Sequence, residues 1–121
     1  MDQVVDLDAV LVELVRRRQE WTRSGLVVGD FTWRDAAAAW PQPIVIDRES
    51  VADPESLGMT FDAGDGAEAA LLVLWTGGWA DLEASINGQV VLEAPEFFDV
   101  ESCVAVADAL VARLLGPARS G

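Results

Sequence analysis

Two tight-turn signals, Gly77-Gly78 and Asn87-Gly88, cut residues 69–94 into three short segments, and they constrain the fold more than any other feature. Glycine tolerates positive φ, so either pair can reverse the chain within a few residues. Strands joined this tightly are antiparallel. Ala69 to Trp75 is almost wholly apolar, which predicts a central strand covered on both faces or nearly so. From Trp79 to Ile86, Leu82, Ala84 and Ile86 alternate with Asp81, Glu83 and Ser85, the pattern of one buried and one solvated face. Gln89 to Ala94 reads as the return strand. Its register is in conflict. A two-residue Asn-Gly turn places Val90 opposite Ser85 and Leu92 opposite Glu83, whereas a longer loop or a bulge pairs Ile86 with Val90 and Ala84 with Leu92. The second choice keeps the apolar side chains together and is the expectation. Upstream, Leu57, Met59 and Phe61 alternate with Gly58, Thr60 and Asp62, and Asp62 to Gly66 reads as a turn.

Helical periodicity brackets this region. Leu7, Val10, Leu11, Leu14 and Trp21 form one apolar stripe over Leu7 to Arg23, with Asp6 placed to cap it and Ser24-Gly25 to stop it. Cys103, Ala107, Leu110, Val111 and Leu114 form another over Val100 to Leu115, with Asp99 as N-cap and Gly116-Pro117 as terminator. Residues 26–55 are less regular. Leu26 to Phe31 is ambiguous and open to a short strand, and Ala36 to Ala39 favour a short helix between Trp33 and Trp40. Ile44 to Ile46 reads as a strand or as a stapled extended segment, and Asp47 to Glu55 as loop. The sum is one α+β domain over residues 1–121, with 118–121 a frayed tail. Its sheet has about four antiparallel strands, and the N- and C-terminal helices pack together on one face.

The net charge of −13 is unevenly spread: between Asp30 and Glu101, fifteen acids face only Arg34 and Arg48. Such a surface repels nucleic acid and anionic membrane and steers a basic protein toward it. No apolar run approaches the length needed to span a bilayer. The acidic N-terminus lacks a signal-peptide pattern, and the lone Cys103 has no disulfide partner within the chain. These features point to the cytoplasm.

The missing residue types limit chemistry. Without His, neither a Ser-His-Asp nor a Cys-His arrangement can form, and without Lys there is no Schiff-base or P-loop lysine. No His and a single Cys argue against zinc, and Asp62 and Asp65 lack the calcium-loop spacing. No cofactor or metal is expected. Asp81 and Glu83 share a strand face, which permits paired acid and base roles but reads more simply as a solvated face. Exposed, Trp75 and Trp79 would suit a stacking platform for a sugar or a hot spot for a protein partner; Trp75 is expected in the core and Trp79 partly exposed, at a protein contact. The expected partner face is therefore Trp79, Asp81 and Glu83.

The run Leu71-Leu72-Val73-Leu74-Trp75-Thr76-Gly77-Gly78-Trp79-Ala80-Asp81-Leu82-Glu83 is followed by a short strand and by Phe97-Phe98-Asp99 opening the C-terminal helix. With the N-terminal helix ending near Trp21, this order resembles the TriTu family of bacterial immunity proteins. The resemblance covers about two-thirds of the chain. It implies stoichiometric neutralisation of a cognate toxin, in that family an ADP-ribosyltransferase, by occlusion of its cleft. It assigns no site residue. The chain is expected to be a monomer or a homodimer. Two other readings stay open: a small acidic secretion chaperone, usually dimeric, that holds an unfolded stretch of an effector, and a carboxylate enzyme with two close acids in a deep pocket.

Overall fold

The computed structural model describes residues 2–64 and 68–116. Helix α1 (Leu7–Arg23) begins where Asp6 Oδ1 accepts from the N–H groups of Asp8 at 3.0 Å and Ala9 at 3.4 Å. Helix α2 (Val100–Leu115) begins at a reciprocal cap: Asp99 Oδ1 accepts from the Ser102 N–H at 2.7 Å, and Ser102 Oγ accepts from the Asp99 N–H at 3.1 Å. Capping satisfies amides that the first helical turn leaves free. Both spans are those that the apolar stripes predict.

Between the helices lie β1 (Val27–Val28), β2 (Thr32–Asp35), β3 (Pro54–Asp62), β4 (Ala69–Trp75), β5 (Trp79–Ile86) and β6 (Gln89–Glu93). They form one antiparallel sheet in the order β1-β3-β4-β5-β6, and β2 also pairs with β3. The described residues thus hold six strands rather than about four. The additions come from β1 and β2, and β3 starts at Pro54 instead of Leu57. No helix forms between Trp33 and Trp40, in spite of the alanines. Trp33 is a buried strand residue paired with Leu57, and Asp35 draws the following chain into a turn by accepting from the Ala37, Ala52 and Asp53 N–H groups. A four-alanine segment is too short to nucleate a helix against such local hydrogen bonds. Val45 alone of Ile44 to Ile46 joins the sheet, as a bridge to Trp33. The expected turn at Asp65-Gly66, the stop at Pro117 and the tail 118–121 lie outside the described residues.

The helices pack on one another and on a single face of the sheet. That face is built from Leu57, Met59 and Phe61 of β3, Ala70, Leu72 and Leu74 of β4, and Ala80, Leu82 and Ala84 of β5. Leu14 and Trp21 of α1 and Leu110 and Leu114 of α2 complete the core; Trp21 meets Phe61 edge-on at 5.4 Å. Burying each such side chain contributes about 1.5–3 kcal/mol. Arg17 Nε fixes the helix pair by donating to both carboxylate oxygens of Asp108, at 3.0 and 3.1 Å.

Two hairpins order β4 to β6. In the first, Trp75 pairs with Trp79, and Gly78 adopts φ 104° where any Cβ would lie 3.0 Å from the Phe97 carbonyl oxygen. Only glycine fits there. The second corrects the expected register. Ile86 pairs with Gln89, Ser85 with Val90 and Glu83 with Leu92, closing a two-residue turn with Asn87 at φ 53° and Gly88 at φ 77°. Both positive φ values match the twist of the flanking strands, so turn chemistry outweighs the burial of Val90 and Leu92.

Candidate functional site: the uncovered sheet face

Because side chains alternate across a strand, every residue between those of the helix-covered face points the other way. No element covers that second face among the described residues. The expectation that β4 is covered on both sides is therefore corrected: Leu71 is exposed, although Leu72 and Leu74 beside it are fully buried. Four cross-strand rows make up this open face. They are Arg34–Ser56–Trp75–Trp79, then Thr32–Gly58–Val73–Asp81, then Thr60–Leu71–Glu83–Leu92, and finally Val27–Asp62–Ala69–Ser85–Val90.

The first row is an aromatic stack. Trp75 and Trp79 lie 5.9 Å apart at 17°, and the Arg34 guanidinium sits over Trp75, 5.2 Å from its centroid. Ser56 Oγ, accepting from Arg34 Nη1 at 3.2 Å, holds that cation in place. The Trp75 indole N–H donates to Asp81 Oδ2 at 2.8 Å. Trp75 is thus half-buried on the open face and not in the core, because period-two alternation sets it with Val73 and Leu71 rather than with Leu72 and Leu74.

Sequence reasoning places Trp79, Asp81 and Glu83 together, and in the structure they share this face. Asp81 and Glu83 are exposed, and Trp79 is half-buried. Reasoning from sequence missed Arg34, Trp75 and the apolar remainder. The signal for Trp75 was available: residues flanking a three-residue turn are cross-strand neighbours, so Trp75 must accompany Trp79. Away from the stack the face is apolar with acids set into it. Val27, Val90 and Leu92 are 63%, 75% and 71% exposed, and Asp62, Asp81 and Glu83 alternate with them and with Leu71. Two open grooves run along it, one past Leu71, Asp81 and Leu92, the other past Val27, Thr60 and Val90.

Such a surface can bind but offers little for catalysis. Asp81 accepts from an indole, and Glu83 stands among aliphatic side chains without a second acid across its row. Burial pushes the Cys103 thiol on the covered side up to about 12, so it stays protonated and is a poor nucleophile. Among the described residues no group of three or more His, Cys, Asp or Glu gathers as a metal site, and no helix is long and apolar enough to cross a membrane. No family model matches the chain, and no curated protein or solved structure matches it either.

Proposed function

We propose that this chain is a stoichiometric protein-binding module whose open sheet face docks a basic partner, and that the partner is a bacterial toxin which it neutralises in the cytoplasm. One observation carries the reading: an uncovered sheet face on which the acids Asp62, Asp81 and Glu83 alternate with exposed Val27, Leu71, Val90 and Leu92 beside a stacked tryptophan pair. Exposed apolar patches rimmed by charge are typical of interaction surfaces. Aromatic side chains supply buried area at low entropic cost, and acids orient a cationic partner. The only cation in the four rows, Arg34, is engaged over Trp75 and leaves the acids unopposed. The toxin identity rests on the resemblance to TriTu immunity proteins; in this chain the run 71–83 that carries it forms most of β4, the hairpin and most of β5.

Neutralisation by occlusion requires no turnover. The acidic field speeds encounter, and the apolar rows then exclude water from the contact. The association rate should fall steeply with added salt, since steering reaches only about 8 Å at physiological ionic strength. The neighbouring gene identifies the partner: a large toxin encoded beside this chain is expected. Titrating its purified toxic domain should give complete protection at one equivalent. Trp79→Ala should weaken the complex by about 2 kcal/mol, and Asp81→Arg with Glu83→Arg should weaken it further by setting like charges together. Full protection at a small fraction of one equivalent would overturn the reading in favour of an enzyme. Normal binding by the triple variant, with a cooperative melting transition to show that it is folded, would move the interface, most plainly to Trp40, Ile44 and Ile46, which are also exposed.

The unpaired outer edge of β6 favours a second reading, a secretion chaperone that holds an extended effector segment. A stable homodimer that binds unfolded effector segments, with no toxin encoded nearby, would select it.

A further inference from the structure

The two edges of the sheet are treated differently. On one side β1 has two residues, and Arg18 Nη2 donates to its Val28 carbonyl at 3.2 Å. Beside it, β2 shifts register between Arg34 and Asp35, and Trp33 exchanges N–H···O bonds with Val45 at 2.7 and 3.1 Å. Short strands, irregular register and capped groups are the devices by which native sheets stop strand addition. On the other side β6 pairs only with β5 and has none of these: its register is unbroken and no Pro lies within it.

The two-residue turn also fixes which groups β6 presents. Closing the hairpin at Ile86↔Gln89 makes Ala84↔Val91 and Leu82↔Glu93 the hydrogen-bonded pairs. Ala80 N–H donating to the Pro95 carbonyl at 2.9 Å keeps that phase beyond the strand end. The N–H and C=O groups of Val90 and Leu92 therefore point away from the sheet, without a partner among the described residues. The side chains of the same two residues lie exposed on the open face. Backbone template and apolar strip coincide.

We propose that the β6 edge receives an extended segment of the basic partner as one more strand, an inference that rests on the open-face reading above. Charge selects this occupant over a second copy. Two copies would bring together molecules of net charge −13 each, with Glu83 and Glu93 near the joint of both. A segment bearing Arg or Lys at alternate positions can lay its aliphatic stems over Val90 and Leu92 and set its cationic heads at Glu83. The intervening apolar side chains would rest beside Val91, which is packed against the core on the helix face. The face supplies orientation, and the edge supplies a ladder of main-chain hydrogen bonds.

The test uses the isotope-labelled full chain and a synthetic peptide of about eight residues, a typical strand length, with alternating valine and arginine. Adding peptide should slow amide exchange at Val90 and Leu92 by about tenfold or more. A peptide N-methylated on the amides that face β6 should give no protection. Val90→Pro and Leu92→Pro should each abolish it too, since proline removes an outward N–H that the β5–β6 ladder does not use. Melting temperature and the exciton-coupled circular dichroism expected of the stacked Trp75–Trp79 pair report whether each variant is folded. Unchanged exchange at Val90 and Leu92 at millimolar peptide overturns the inference. If shifts then appear only at Trp79, Asp81 and Glu83, the partner rides on the face and the functional reading stands; no shift anywhere removes both. A dimer of the 13.0 kDa chain with Val90 and Leu92 protected before any peptide is added gives the edge to a second copy and also overturns it. Equal protection by a valine–glutamate peptide overturns the choice of a basic segment.

Discussion

The two faces of β4 share a composition and differ in fate. Leu72 is 0% exposed under the helices, whereas Leu71, one residue away, is 40% exposed on the open side. Two helices carry enough apolar stripe for one sheet face only, and both α1 and α2 are used on the same one. A wholly apolar strand is therefore no sign of double coverage. What remains open is an apolar surface in a fold whose core is already complete.

Leu72→Ala is expected to break this asymmetry most: a buried cavity should cost about 2–5 kcal/mol, while Leu71→Ala should cost about 0.5 kcal/mol. Denaturant titration of the two variants checks the pair, and equal losses would mean that the open face is covered in solution. Trp79→Ala comes next. Losing a stacked neighbour should cost about 1 kcal/mol and remove the exciton-coupled signal of the Trp75–Trp79 pair from the circular dichroism spectrum. A couplet that survives would show that the rings do not stack.

The third expectation concerns acid. The Ala52, Ala37 and Asp53 N–H groups hold Asp35 below the ordinary carboxylate value of 3.8, and a hydrogen bond from Arg48 does the same for Asp8. A depressed folded-state pKa contributes stability that is present above 3.8 and lost as pH falls through the lowered values. The segment after β2 should thus loosen below the ordinary carboxylate range, seen as faster exchange at Ala37, Ala52 and Asp53, while the core of β3 to β5 holds. Asp35→Asn should reduce that pH dependence to the part that Asp8 contributes through Arg48. The smallest effect belongs to the open face itself: Val90→Thr with Leu92→Thr should change stability by less than about 0.5 kcal/mol, because neither side chain is buried. A larger loss would place both in an unrecognised intramolecular contact.

Much of this is legible in the sequence. Apolar stripes and Asp caps fix α1 and α2 to the residue, and alternation in β5 places Asp81 and Glu83 on the exposed side. Two of the differences share a cause. Ranking burial above local chemistry pairs Val90 and Leu92 inward against the Asn87-Gly88 signal and puts Trp75 in the core. Ala36 to Ala39 show the opposite: there propensity favours a helix, whereas Trp33 burial and the Asp35 turn decide the backbone. Arg34 was beyond reach, since its place over Trp75 depends on β2 joining β3, a pairing that no short-range pattern marks.

Arg18 on Val28 and the Val45 bridge on Trp33 have a consequence for assembly size. Polymerisation by strand addition needs two receptive ends on every unit, so that each addition leaves a new end to grow from. A sheet closed at one end and open at the other has a valence of one. Whatever pairs with β6 terminates there: a protein partner is taken up once, and two copies meeting edge to edge would form a closed pair. The residues that cap β1 and β2 would in this way act as chain stoppers, holding a molecule with exposed valine and leucine on its rim below the threshold for fibre growth. Arg18→Ala removes the cap on Val28, and Val45→Pro removes the N–H that bonds the Trp33 carbonyl; together they would open that edge, and concentration-dependent elongation would be the result to look for.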